Sequence, residues 1–303
     1  MKKIIVIIGP TGIGKTSFAI KTANRFNGEI IGADSMQIYK HLTIGTAKPD
    51  SDELKQAPHH LIDFLDPKQE FDAGLFVKLA DLAIEDILSR NKMPIIAGGT
   101  GLYVRALING LFRSDSICEQ VLDQLTNEIE QKGNLHVYER LQKCDPMAAS
   151  KIHPNDTFRV IRALEVFLTT GDKISDRQEK HNFNEIRYHS LKIGLDIDRD
   201  KLYERINMRV DLMLDQGLLE EVKNLVKKGY SLDLKSMQSI GYRHMGLFLK
   251  NKIDWSEAVR LLKRDTRRYA KRQMTWFRKQ TDIHWYKPTE FYQAENEIKD
   301  FLT

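Results

Sequence analysis

Gly9-Pro10-Thr11-Gly12-Ile13-Gly14-Lys15-Thr16 is the stretch on which the fold turns. It reads G-x-x-x-x-G-K-T. The apolar run Ile4 to Ile8 precedes it, and a helical pattern starting at Thr16 follows it. In a strand–loop–helix setting this spacing has a mechanism: successive backbone N–H groups of the glycine-rich turn converge on phosphate oxygens. Lys15 adds a point charge on the outer phosphates, and the Thr16 hydroxyl is suited to Mg²⁺. The residues expected to hold a diphosphate or nucleotide are therefore Gly9, Pro10, Thr11, Gly12, Ile13, Gly14, Lys15 and Thr16. The loop does not say which phosphate compound it holds.

Outward from the loop, strand-like and helix-like segments alternate. Thr16 to Phe26 reads as a helix, Glu29 to Gly32 as a second strand, Phe76 to Arg90 as a helix and Pro94 to Ala97 as a buried strand. This rhythm predicts an α/β fold, a P-loop NTPase-like parallel sheet with helices on both faces. Ligands in such sheets lie beyond the carboxyl ends of the strands. Three loops leave those ends: Gly9–Thr16, Asp34–Gln37 and Gly98–Gly101. From about Arg113 the pattern turns helical, with Val121 to Lys132, Leu135 to Lys143 and Thr157 to Thr170 as helices. Asp172 to Tyr188 is polar and reads as a loop or hairpin, and Leu191 to Ile197 as a return to strand. Residues 113–189 are thus expected to form an inserted helical domain in a core made of 1–112 and 190–303. Helices are also expected over Arg199 to Gln216, Leu218 to Lys228 and Trp255 to Phe277.

The 303 residues, 41% hydrophobic and 29% charged, suit a globular chain. Net charge is only +5, but the segment 260–279 carries nine basic residues against the single acid Asp265. Such a local excess is what an anionic polymer meets. Two cysteines, Cys118 and Cys144, have no metal-ligand or disulfide spacing. The N-terminal apolar run is too short for a signal peptide, and no stretch approaches membrane-spanning length. A cytoplasmic protein without a membrane partner is expected.

Asp34 ends the second strand, where an acid faces the phosphate loop as a general base or orients metal-bound water. A turn or helix-cap aspartate is the plain alternative. Gln37, after Ser35 and Met36, has the donor and acceptor pair suited to an adenine edge. Thr100 lies among glycines at a strand end where many phosphate-loop NTPases carry an acid, which weakens an ATPase reading. Arg159 and Arg162 share a helix face, with an Arg162–Glu165 ion pair as the alternative for Arg162. Arg243 falls in the loop-like segment Gly241-Tyr242-Arg243. Along 255–277, Arg260, Arg264, Arg267 and Lys271 form one stripe, and Leu262, Tyr269 and Trp276 another. A basic face over an apolar one suits a phosphate backbone; a solvated surface is the alternative.

Taken together, the chain resembles the bacterial tRNA dimethylallyltransferases. The matching blocks are the phosphate loop, Asp34-Ser35-Met36-Gln37-Ile38-Tyr39, Ile44-Gly45-Thr46-Ala47-Lys48-Pro49, His59-His60-Leu61-Ile62-Asp63, Gly98-Gly99-Thr100-Gly101-Leu102-Tyr103, His153-Pro154-Asn155-Asp156 with Arg159 and Arg162-Ala163-Leu164-Glu165, Ile240-Gly241-Tyr242-Arg243, and Lys271-Arg272-Gln273 with Thr275-Trp276. Their order over residues 9 to 276 makes the match specific. The resemblance implies transfer of a dimethylallyl group from dimethylallyl diphosphate to N6 of the adenosine 3′ of the anticodon, with release of diphosphate. It implies Asp34 as base, Thr100 on the bridging oxygen, and Lys15, Arg243 and Mg²⁺ on the leaving group. The tRNA anticodon stem-loop would meet Asp34, Ser35, Met36, Gln37, Thr100, Arg159, Arg162, Arg264, Arg267 and Lys271. A monomer is expected. A small-molecule kinase, a transferase that prenylates free adenine nucleotides, and a non-catalytic RNA-binding protein are the competing readings.

Overall fold

The computed structural model describes residues 1–111, 119–181 and 185–303. Cys118, the expected domain boundary at 112/113 and residues 182–184 of the expected loop lie outside them. The first part runs β1 (Lys3–Ile8), α1 (Lys15–Arg25), β2 (Gly28–Gly32), α2 (Ser51–Gln56), β3 (His59–His60), α3 (Ala73–Ser89), β4 (Met93–Gly98) and α4 (Gly101–Asn109). Five helices follow: α5 (Glu119–Lys132), α6 (Asn134–Cys144), α7 (Pro146–Lys151), α8 (Thr157–Thr170) and α9 (Ile174–His181). The chain then makes β5 (His189–Leu195), α10 (Arg199–Asp215), α11 (Leu218–Lys227), a 3₁₀ turn (Ser236–Gln238), α12 (Tyr242–Leu249), α13 (Trp255–Phe277), β6 (His284–Tyr286) and α14 (Phe291–Leu302).

All six strands are parallel, in the order β3-β2-β4-β1-β5-β6. Successive strand residues point to opposite faces, and Ile4 through Ile8 are all fully buried. Both faces of the sheet are therefore covered, as an α/β fold requires. On one face Ile5, Ile7, Ile30, Ile95 and Ile193 pack against Phe18 and Ala19 of α1, Ile206 of α10 and Ile298 of α14. The chain leaves β1 toward β2 on one side and later adds β5 on the other. The switch in strand order thus lies at β1, and the crevice it opens sits over the phosphate loop.

The chain divides into two compact units, 1–108 with 186–303, and 109–185. The smaller unit has its own core, formed by Leu125, Val137, Leu141, Val160, Ala163 and Leu164. Its last helix, α9, corrects the expected loop over Asp172–Tyr188. A polar segment without apolar periodicity is anchored there by Ile174, packed on that core, and by Ser175, whose N and Oγ both donate to Asp145. Among the described residues, no helix is long and apolar enough to cross a membrane.

Candidate active site

The phosphate loop follows β1 directly. Gly14 occupies the N-cap of α1 at φ 101°, a left-handed conformation open to glycine, and no side chain caps the helix. The first-turn N–H groups are thereby left for a ligand, at the positive end of the helix dipole. Lys15 donates to the carbonyl of Pro10 at 2.8 Å. Burial pushes its ammonium down to about 8, against the pull of Asp34 and with a further push from Arg209. Thr16 lines the same cavity.

Loops after β2 and β4 close on this one. Thr100 N donates to Ala33 O at 3.2 Å, and Ser35 N donates to Thr100 Oγ1 at 3.1 Å. Asp34 Oδ1 accepts from Met36 N at 2.9 Å and Gln37 N at 3.3 Å. The turn alternative for Asp34 is thus real, but it engages one oxygen and leaves Oδ2 for a substrate. Gln37 donates its amide hydrogens to Thr46 O and Ala47 O, at 3.1 and 2.9 Å. Its side chain holds a loop here, and both amide hydrogens are engaged, so the donor of the pair that an adenine edge would need is taken. Gln273 of α13 ties the site together: its Oε1 accepts from Thr11 N and its Nε2 donates to Gly99 O, both at 2.9 Å. A Cβ at Gly99 would lie 2.2 Å from that Nε2, so the contact requires glycine.

These elements enclose a cavity of about 830 Å³. Thr11, Lys15, Thr16, Asp34, Ser35, Met36 and Gln37 line it. So do Lys48, Tyr269 and Arg272, and two residues the sequence did not single out, Arg205 and Arg209 of α10. Arg209 donates to Thr11 Oγ1 at 3.3 Å and Arg205 to Ile13 O at 3.5 Å. Burial lowers the Arg209 guanidinium, opposed by Asp34 and Glu53. Among the described residues neither arginine, nor Lys15, nor Arg272 has a carboxylate within ion-pair distance. A pocket with several cations outside direct ion pairs at a helix N-terminus is suited to a multivalent anion. Ile206, Val210, Met213, Ile240 and Leu262 supply apolar wall beside it.

The model of the IPP transferase family matches residues 37–280. The chain belongs to the IPP transferase family. The tRNA dimethylallyltransferase of Acetivibrio thermocellus is 50% identical over 99% of this chain and 96% of its own length. The solved tRNA isopentenylpyrophosphate transferase of Bacillus halodurans is 39% identical, covers 100% of this chain and 97% of its own, and superposes with a TM-score of 0.75. A eukaryotic dimethylallyltransferase acting on tRNA is 33% identical, over 100% of this chain and 80% of its own, with a TM-score of 0.85.

Not every residue expected at the site of this IPP transferase lies there. Arg243 lies in the first turn of α12 rather than in a loop. Tyr242 turns inward, so the next side chain turns out, where it is exposed and pairs with Asp265 at 3.1 Å. It does not line the cavity, and Arg209 stands on the phosphate loop in its place. The stripe on α13 is also mostly engaged. Arg260 pairs with Glu257 at 2.6 Å, Arg264 with Asp265 at 2.8 Å, and Arg267 donates to Asn207 of α10 at 2.6 Å. Lys271 alone of the four has no partner among the described residues. It belongs instead to a second face with Arg268, Arg272, Thr275, Trp276 and Lys279, which line a shallow cavity of about 400 Å³. In the smaller unit Arg162 pairs with the buried Glu165 at 2.5 Å, the expected alternative. Arg159 is exposed and held at 3.4 Å by Asp156.

Proposed function

We infer that this chain transfers a dimethylallyl group from dimethylallyl diphosphate to N6 of the adenosine 3′ of the anticodon in tRNA, and releases diphosphate. One observation carries the reading: Asp34, on a strand-end loop joined to that of Thr100, lines one cavity with a phosphate loop whose cations lack carboxylate ion-pair partners among the described residues. Family membership and the printed activities of the relatives support the same reaction.

In this reading the diphosphate lies on the N–H groups at the start of α1, with Lys15, Arg209 and Arg205 around it. The dimethylallyl group takes the apolar wall from α10. The N6 lone pair attacks C1 as the C1–O bond breaks, and the bond's electron pair leaves with the diphosphate. An N6 proton passes to Asp34 Oδ2. The Thr100 hydroxyl accepts from Ser35 N and lies within hydrogen-bond reach of Tyr269; on substrate binding its hydrogen would turn to the bridging oxygen, where charge grows in the transition state. Fixed cations around the cavity act without reorganising. The adenosine must be splayed from its loop to reach this depth.

Mg²⁺ fits the donors as a companion of the diphosphate. Among the described residues no group of three or more His, Cys, Asp or Glu could hold a metal. The Thr16 hydroxyl would hold the ion with phosphate oxygens, a usual arrangement for Mg²⁺. Bound there, it would supply further positive charge beside the leaving group. We extend the reading to a monomer acting in the cytoplasm, with Arg159 and the second face of α13 on the tRNA. The test is incubation with labelled dimethylallyl diphosphate and unmodified tRNA, with AMP and ATP in parallel. Label on tRNA alone is expected. Label on AMP, or consumption of ATP without prenyl transfer, would overturn the reading.

A further inference from the structure

The segment Thr43 to Lys48 contributes Gly45, Thr46, Ala47 and Lys48 to the cavity wall but has no helix or strand of its own. Ala47 sits at φ 47°. A loop with an uncommon backbone conformation keeps one shape only where its surroundings impose it. Here three consecutive backbone donors converge on one carboxylate. Thr43 N and Ile44 N donate to Glu221 Oε2 at 3.1 and 2.8 Å, and Gly45 N donates to Oε1 at 3.2 Å. The Tyr242 hydroxyl donates to the same Oε1 at 2.5 Å. Tyr242 is fully buried, and its ring lies under Gly45, where a Cβ would come within 2.4 Å of it. Glu221 has no lysine or arginine within ion-pair distance among the described residues. Its charge is balanced by four donors, three of which belong to the loop. Charge-assisted bonds of this kind are the strong ones. Beyond Gly45 the loop is held by Gln37, which stands three residues after Asp34 and whose N–H bonds the Asp34 carboxylate.

We propose that Glu221 is a positioning residue for prenyl transfer: it fixes the loop 43–48, and through Gln37 the Asp34 turn, in the shape that receives the acceptor adenosine. The inference rests on the proposed reaction. Glu221 touches neither the phosphate loop nor its cations, so it acts on the acceptor side of the cavity alone. The decisive variant is Glu221→Gln, which puts an amide donor among four donors. Single-turnover prenyl transfer should fall about 10²-fold, the scale of an ångström-sized misplacement. Affinity for dimethylallyl diphosphate should stay within twofold of the parent. Hydrogen exchange should quicken at residues 43–48 and not in β1 or β4. Glu221→Asp, which keeps two acceptor oxygens, should restore part of the rate. If Glu221→Gln does not fold, Tyr242→Phe keeps the ring under Gly45, removes one donor and should show the same split at about tenfold. A parental transfer rate in a folded Glu221→Gln protein, or an equal loss of diphosphate affinity, overturns the proposal. Absence of transfer by the unaltered protein sinks the reaction itself; the exchange measurement then still decides whether Glu221 holds the loop.

Discussion

Lys15 offers a quantitative test of the phosphate site. Its ammonium is brought from 10.5 to about 8, chiefly by burial. Bringing it from 10.5 to about 8 corresponds to about 3–4 kcal/mol against the charged form, at ~1.4 kcal/mol for each tenfold. Part of the side chain still meets solvent, so about 1–2 kcal/mol is the fair expectation after screening. The sign follows from the lowered value. Below pH 8 the lysine is charged both folded and unfolded, and the fold bears the full cost; between 8 and 10.5 the cost fades as the folded form loses its proton. Lys15→Met should therefore raise the stability of the ligand-free protein at pH 7, by about 1–2 kcal/mol on that scale. A bound diphosphate reverses the balance by restoring the charge. The affinity for an unreactive thiolo analogue of dimethylallyl diphosphate should then fall about tenfold between pH 7 and 9, with close to one proton taken up on binding at pH 9. Titration calorimetry in two buffers of different ionisation enthalpy measures both quantities. Lys15→Met should bind weakly at every pH and show neither the fall nor the proton uptake. Equal pH dependence in the parent and the Met variant, or a loss of stability in Lys15→Met, would refute the account of Lys15 as a charge held ready for an anion.

Four other outcomes are expected. Asp34→Asn should keep tRNA binding and lose about 10²–10⁴-fold in single-turnover rate, the usual contribution of a general base. Thr100→Ala should slow transfer more than it weakens diphosphate binding, because the bridging oxygen gains its charge in the transition state; pre-steady-state rates and affinity on one preparation decide it. Charge reversal at Lys271 and Lys279 should weaken tRNA binding and flatten its log–log salt slope by about one unit per lost contact, whereas reversal at Arg260, already paired with Glu257, should leave the slope near the parent's. Glu29 is buried and bonded by Arg90, Lys92 and His60, chiefly Arg90 holding its carboxyl well below the usual range. Its stabilising effect is present above the unfolded carboxyl's pKa and is lost as pH falls below about 4, so the melting temperature of Glu29→Gln should depend less on pH between 5 and 3 than the parent's.

Sequence legibility followed the range of the interactions. The phosphate loop is local chemistry, and eight consecutive residues carried it. The meeting of the Asp34 and Thr100 loops is topological, and the strand-end rule for parallel sheets anticipated it. Pairing partners far along the chain could not be read. Arg267 looks like part of a free basic stripe until Asn207, sixty residues away, takes its guanidinium. Arg243 looks like a loop residue because Gly241 precedes it, but that glycine begins a helix at φ 96°, and the helix carries Arg243 outward to Asp265. The two arginines that do reach the phosphate loop carry a local signal in the sequence. Arg205 and Arg209 are four apart and so share a helix face, and Ile206 and Val210, buried next to each of them, turn that side of α10 to the core.

Gln273 shows where inference from sequence stops for a physical reason. The buried positions Ala270, Met274 and Phe277 define the inward face of α13, and Gln273 falls on it, in the middle of a run of lysine and arginine. A buried amide must be hydrogen-bonded, because leaving it unpaired costs about 1–3 kcal/mol. Periodicity alone therefore says that Gln273 is engaged with something inside. It cannot name Thr11 N and Gly99 O, which lie 262 and 174 residues away and are brought together only by the sheet. The contact joins the phosphate loop to the strand-end loop before Thr100, so the helix bearing the basic surface also sets the spacing of the proposed reaction site. One amide in that helix thereby links the basic surface proposed for RNA to the loop proposed for the diphosphate, a link no local pattern in the chain contains.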